Sequence, residues 1–96
     1  MRVRARKDDN HKEIAAALIK IGASVLDTSQ LGNGAPDIIV GFRGQNVLVE
    51  IKDGDKPPSK RRLTPDEVKF QLSWQGNYKV VNSVDEALKL LFTIIA

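Results

Sequence analysis

The sequence predicts an α/β domain in which helices flank a mixed central β-sheet, in the order αβββαβα. Three observations predict it. Two almost continuously apolar runs, Asp37-Ile38-Ile39-Val40 and residues 46–52, are joined by the glycine-bearing link Gly41-Phe42-Arg43-Gly44-Gln45, the pattern of a hairpin whose strands are covered on both faces. Apolar residues at helical spacing lie on either side of that pair. Two Ser/Thr-x-x-Glu signatures, Thr64 to Glu67 and Ser83 to Glu86, mark helix starts in the second half.

Taken in order, the first helix starts at Asp8, Asp9 or Asn10, each a good N-cap. Ile14, Leu18 and Ile21 supply its apolar face, Ala15, Ala16 and Ala17 its propensity, and Gly22 its C-cap. Ser24-Val25-Leu26-Asp27-Thr28 reads as a short strand, and residues 29–35 as a Gly- and Asn-containing loop. The hairpin follows, then the proline-broken polar loop Asp53-Gly54-Asp55-Lys56-Pro57-Pro58-Ser59. Thr64 caps the next helix with Pro65 at its first position; the helix reaches about Trp74, with Val68, Leu72, Phe70 and Trp74 turned inward. Gln75-Gly76-Asn77 turns into the strand Tyr78-Lys79-Val80-Val81. The last helix opens on the second capping box, with Val84, Ala87, Leu88 and Leu91 on its apolar side.

Ninety-six residues suit one domain with a modest core, spanning 1–96. The absence of cysteine excludes disulfides and zinc–thiolate sites. No apolar run is long enough for a membrane span, and the charged start does not read as a signal peptide. A soluble, cytoplasmic protein is therefore expected. The formal net charge of +3 leans toward a polyanionic partner. Basic residues gather in two places: Arg2, Arg4, Arg6, Lys7 and Lys12 near the start, and Lys56, Lys60, Arg61 and Arg62 in the loop after the hairpin. The first cluster reads either as a solvated tail or as phosphate contacts. The second, beside the acidic residues of the hairpin, is expected to touch DNA.

Those acidic residues carry the chemistry. If the two apolar runs pair, Asp37 sits beside Glu50, while Glu50 and Lys52 share one face of their strand. Two carboxylates that close repel unless a cation lies between them. Oxygen-only ligands suit a hard cation such as magnesium. A Glu and a Lys within so apolar a strand are otherwise rare without partner or task. The pattern points to a metal site for phosphodiester chemistry.

Pro36-Asp37 with Glu50-Ile51-Lys52 resembles the motif of the PD-(D/E)XK nuclease superfamily. The chain is most similar to its VRR-NUC branch, whose small stand-alone members occur largely in phages. The resemblance extends over Asp9-Asn10, Glu13, Gly34-Ala35-Pro36-Asp37, Leu63-Thr64-Pro65-Asp66-Glu67 and residues 80–88. It implies a magnesium- or manganese-dependent endonuclease that cuts DNA and leaves a phosphate monoester on one end. Asp37, Glu50 and the Ile51 backbone carbonyl would then hold metal. Lys52 would orient or deprotonate water, or steady the charge on the phosphate; a buried or metal-adjacent ammonium has its pKa pushed down. Glu13 matches an extra acidic position for a metal or its water; as a solvated first-turn acid it needs no such role. Relatives carry a glutamine near Glu67, and Gln71 stands one turn later, so the accessory role stays open between them. His11, among charges, reads as a surface residue or a phosphate contact.

The implied substrate is branched DNA, cut by a homodimer in the manner of a Holliday-junction resolvase. The apolar ending Leu90-Leu91-Phe92-Thr93-Ile94-Ile95 offers a patch for the second copy. Two other classes stay in view: a non-catalytic nucleic-acid-binding module on a nuclease-like fold, and a structural or interaction protein.

Overall fold

The computed structural model describes residues 10–94. Its elements are α1 (His11–Lys20), β1 (Ser24–Asp27), β2 (Ile38–Phe42), β3 (Gln45–Ile51), α2 (Pro65–Ser73), β4 (Tyr78–Val81) and α3 (Val84–Ile94), with a single 3-10 turn at Pro58–Lys60 inside the long loop. The expected order αβββαβα holds. The strands form one four-stranded sheet in the order β1-β2-β3-β4. Its first two pairings are antiparallel and the last is parallel. A parallel pairing cannot be closed by a tight turn, so α2 serves as the crossover.

The hairpin closes on Arg43 and Gly44, between the paired residues Phe42 and Gln45. Both have positive φ, 51° and 79°, the combination a two-residue type I′ turn requires. This turn fixes the register, which in turn sorts the side chains of the sheet. On one face Ile38, Val40, Val47, Val49, Ile51 and Val81 meet Ile14 and Leu18 of α1 and Ala87, Leu90 and Leu91 of α3. By alternation the other face carries Ile39, Leu48, Glu50, Tyr78 and Val80. Burial on both faces holds for β3, where every residue from Val47 to Ile51 is buried, but not for β2, where Ile39 is half-buried. The reason is positional. Both central strands border an edge strand, but α2 lies over the second face at β3 and β4, where Glu67 meets Lys52 and Phe70 meets Tyr78.

α1 ends as expected. Gly22, at φ 99°, follows Ile21, and the Gly22 and Ala23 N–H groups bond back to the Ile19 and Leu18 carbonyls, a Schellman ending. Its start differs from expectation. Asn10 stands at the cap position but makes no side-chain cap bond. Instead its Nδ2 donates to the carbonyls of Lys52 and Asn82, at 3.0 and 3.1 Å, tying together the chain just beyond β3 and β4. Ile21, expected on the apolar face, is exposed, because the helix has already ended. His11, expected at the surface, is buried, with Nε2 3.7 Å from an Asp27 carboxylate oxygen.

α2 carries its full capping box: Thr64 Oγ1 accepts from the Glu67 N–H, and Glu67 Oε1 accepts from the Thr64 N–H. None of its residues is buried. Val68, Leu72 and Trp74, expected to face inward, are exposed. The helix lies across the face that bears Glu50 and Lys52, where polar contacts take the place of a core. In α3 the box is shifted by one residue. Ser83 Oγ accepts from the Glu86 N–H, while Glu86 Oε1 reaches back to the N–H and side-chain amide of Asn82. Leu90 and Leu91 complete the core and Phe92 is exposed. Asp8, Asp9, Arg2, Arg4, Arg6, Lys7 and Ile95 lie outside the described residues. No described helix is long and apolar enough to cross a membrane.

Candidate functional site

Asp37 is placed by a turn that Thr28 locks from below. Thr28 is buried; its hydroxyl donates to the Pro36 carbonyl at 2.6 Å and its N–H donates to the Asp37 carbonyl at 2.9 Å. The register of β2 on β3, extended by one residue beyond Ile38 and Val49, sets Asp37 opposite Glu50. The Asp37 carboxylate accepts from the Ile51 N–H at 2.7 Å, so the backbone of the Glu50-Ile51-Lys52 motif itself holds it. The two acidic residues of the motif are thus brought together.

Glu50 is 3% exposed. Burial first, then the charge of Asp37 and its contacts with Glu67, push its carboxyl from an ordinary 4.5 up to about 9; the Lys52 ammonium only partly opposes this. Its Oε1 is buried without a hydrogen-bond partner. Lys52, just past the end of β3, places its ammonium 3.3 Å from Glu50 Oε2 and 2.9 Å from Glu67 Oε1. Burial works against that charge, but the hydrogen bond to Glu67 and the attraction of Glu50 outweigh it, and the Lys52 pKa is raised. In the metal-free protein this reverses the downward shift expected from burial: with the Glu67 carboxylate and the Glu50 carboxyl around it, Lys52 is held as an ammonium. For Glu67, burial is likewise outweighed by hydrogen bonds from Lys52 and from the Thr64 backbone, and its pKa is lowered.

Of the two accessory residues, Glu67 joins the cluster, while Gln71 lies one turn further along α2, exposed. Glu13 is exposed on α1 and lines a different cleft, shared with Asn10, Asp53, Asp55, Arg61 and Glu86. Lys56, Lys60 and Arg62 are exposed, and Arg61 folds its Nε onto the Lys56 carbonyl at 2.7 Å. Asp53 accepts from the Asp55 N–H, a local turn in the loop. Sequence reasoning missed two residues that shape the site. Asn10 pins the backbone at Lys52, and Tyr78 stands on the Glu50 face of the sheet, in β4; parity with Glu50 in a parallel register was the signal for Tyr78, and it needed the strand order first.

The donor set fits a hard divalent cation. A buried carboxylate oxygen without a partner, facing a second carboxylate, is costly until a cation lies between them. Among the described residues no three His, Cys, Asp or Glu side chains are placed to share one metal ion. Carbonyl, phosphate and water oxygens would supply the remaining positions, as magnesium commonly accepts.

No protein-family model matches the sequence, and no curated protein does. Among solved structures, a VRR_NUC domain superposes with a TM-score of 0.64 and 27% sequence identity, over 86% of this chain and 90% of that one. With the mixed sheet and its three helices, this likeness gives the chain the fold of a nuclease-type domain. The fold it resembles is that of a VRR_NUC domain.

Proposed function

We propose that the chain is a magnesium- or manganese-dependent endodeoxyribonuclease, one domain over residues 1–96, that cuts branched DNA as a homodimer in the cytoplasm. The observation that carries this reading is the pairing of Asp37, anchored on the Ile51 N–H, with the buried, partnerless Oε1 of Glu50. Asp37, Glu50 and the Ile51 carbonyl would hold the cation, which when bound acidifies water and stabilises charge on the phosphate.

The chain's own residues do the rest. Lys52, held between Glu50 and Glu67, steadies the negative charge that builds on the phosphate oxygens. Glu67 keeps that ammonium in place from α2. Lys56, Lys60, Arg61 and Arg62 lie in the loop that leads from β3 to α2 and hold the DNA backbone there. Arg4, Arg6 and Lys7 add phosphate contacts. Hydrolysis adds water across one P–O bond, leaving a phosphate monoester on one end and a hydroxyl on the other.

The test is cleavage of a panel of junctions, flaps, nicks and plain duplexes with magnesium, manganese, calcium or EDTA, using wild type and Asp37→Ala. Cleavage of branched substrates with magnesium or manganese, lost with Asp37→Ala, is expected; calcium should bind without turnover. Full activity in EDTA would sink the metal reading. Binding without cleavage under every condition would instead favour a non-catalytic nucleic-acid-binding module.

A further inference from the structure

Tyr78 opens β4 and pairs in parallel register with Leu48, while Val80 pairs with Glu50. Alternation therefore puts the Tyr78 ring on the same face as Glu50, beneath α2. Phe70 of α2 lies tilted against it, with ring centroids 6.0 Å apart. The phenol oxygen is buried and has no hydrogen-bond partner, and on the same face Glu50 Oε1 is in the same condition.

Two orphaned buried oxygens on one face, one a donor and one an acceptor, are unusual in a folded protein. Such atoms need a reason: strain, a functional role, or a water or ion that completes them. The environment of the phenol narrows the choice. A phenol keeps its proton at neutral pH and can donate, and its register on β4 puts it one diagonal step from Glu50. Packing does not call for it, since a phenylalanine ring would meet Phe70 equally well.

We infer that Tyr78 is a positioning residue of the metal site: its hydroxyl, without a partner in the metal-free protein, becomes a donor to Glu50 when a divalent cation is bound and so fixes the orientation in which Glu50 presents its oxygens. The inference rests on the metal-dependent reading above. Groups that orient metal ligands from behind commonly matter about 10–100-fold for metal affinity or activity. Tyr78 would act in this way on Glu50 without touching the cation.

Tyr78→Phe separates this role from a merely structural one, because the two move different measurements. Manganese binding to the DNA-free protein is followed by calorimetry, with thermal melting of the metal-free protein alongside. Expected is an unchanged or higher metal-free melting temperature together with a roughly tenfold weaker manganese affinity. Cleavage should drop at limiting manganese and recover largely when manganese is saturating. Equal manganese affinity in Tyr78→Phe and wild type overturns the inference while leaving the metal reading intact. A lower metal-free melting temperature, with or without weaker binding, also overturns it, since the hydroxyl would then be structural. Wild type that binds no manganese, with Asp37→Asn behaving identically, overturns the metal reading and this inference with it.

Discussion

Lys52 and Glu67 are joined through one oxygen that has a second duty. Glu67 Oε1 accepts from the Lys52 ammonium at 2.9 Å and from the Thr64 N–H at 2.8 Å. The lysine of the site and the cap of α2 are therefore built on the same carboxylate. Disturbing one disturbs the other, and α2, with no buried residue of its own, has little else to hold it.

Lys52→Ala should lower cleavage by ~100-fold or more, the scale for a positioned electrostatic group, while DNA binding persists. Glu67→Gln should cost about 1–3 kcal/mol at neutral pH, since it removes a charged acceptor from two donors. The sign of its pH dependence follows from the lowered pKa of Glu67. Its stabilising contribution is present above the unfolded value of 4.5 and is lost as pH falls through the folded one. Melting curves of wild type and Glu67→Gln should therefore converge in acid. Parallel curves at every pH would remove the ion pair from the account.

Glu50 behaves in the opposite sense. Its folded pKa of about 9 lies above the unfolded 4.5, so between those values the native state holds a proton that the unfolded chain has released. Stability of the metal-free protein should fall as pH rises through that window, by at most about 1.4 kcal/mol per pH unit from this group. Glu50→Gln should flatten the decline and raise metal-free stability at pH 8, while abolishing cleavage. Denaturant unfolding in EDTA between pH 5 and 9 measures this; a wild-type profile as flat as the variant's would refute the buried neutral carboxyl.

Gly34 faces the opening turn of α2. It has φ 79°, and a Cβ there would collide with the Asp66 carbonyl and stand 2.9 Å from the Glu67 nitrogen. Gly34→Ala is therefore strained twice, by conformation and by contact. It should cost about 1–3 kcal/mol and lower cleavage by displacing Glu67 from Lys52. A crystal structure or melting curve indistinguishable from wild type would show that α2 can yield at no cost.

Much of this arrangement was legible before any coordinates. The glycine-bearing link Gly41 to Gln45 suited a hairpin, and Asp37 was expected beside Glu50 if the two runs paired; the register itself came with the Arg43-Gly44 turn. The capping box of α2 was equally local. What could not be read was which face each helix covers. Val68, Leu72 and Trp74 have the look of a core-facing stripe, yet α2 crosses over charged residues and leaves them exposed. Asn10 looked like a cap because capping is a local habit; its actual partners, Lys52 and Asn82, are far along the chain. The direction of the Lys52 shift failed for the same reason, because Glu67 reaches it from another element.

The loop after β3 offers a different kind of test. Lys60, Arg61 and Arg62 are near the surface, with Lys60 and Arg62 exposed, and reversing their charges should leave melting within about 0.5 kcal/mol. DNA affinity should fall, and the slope of log affinity against log salt should shrink by about 0.9 for each phosphate contact removed. Filter binding or anisotropy between low and moderate salt measures both. An unchanged slope would return these residues to ordinary solvation.

The last prediction concerns the second copy. Resolving a junction takes two symmetric cuts, and one chain with one catalytic face makes one, so a two-fold dimer is the simplest route. The structure narrows the apolar ending from which that patch was expected: Leu90 and Leu91 are used inside the monomer, while Phe92 is 60% exposed on α3. A large exposed aromatic costs free energy in water that a partner subunit would recover. Phe92→Asp should therefore convert a dimer into a folded monomer, with melting little changed at low protein concentration. Sedimentation at micromolar concentration of wild type and variant decides the matter. A wild-type monomer that cuts flaps or duplexes and spares junctions would rule the resolvase reading out, because paired incision needs both active sites on one DNA.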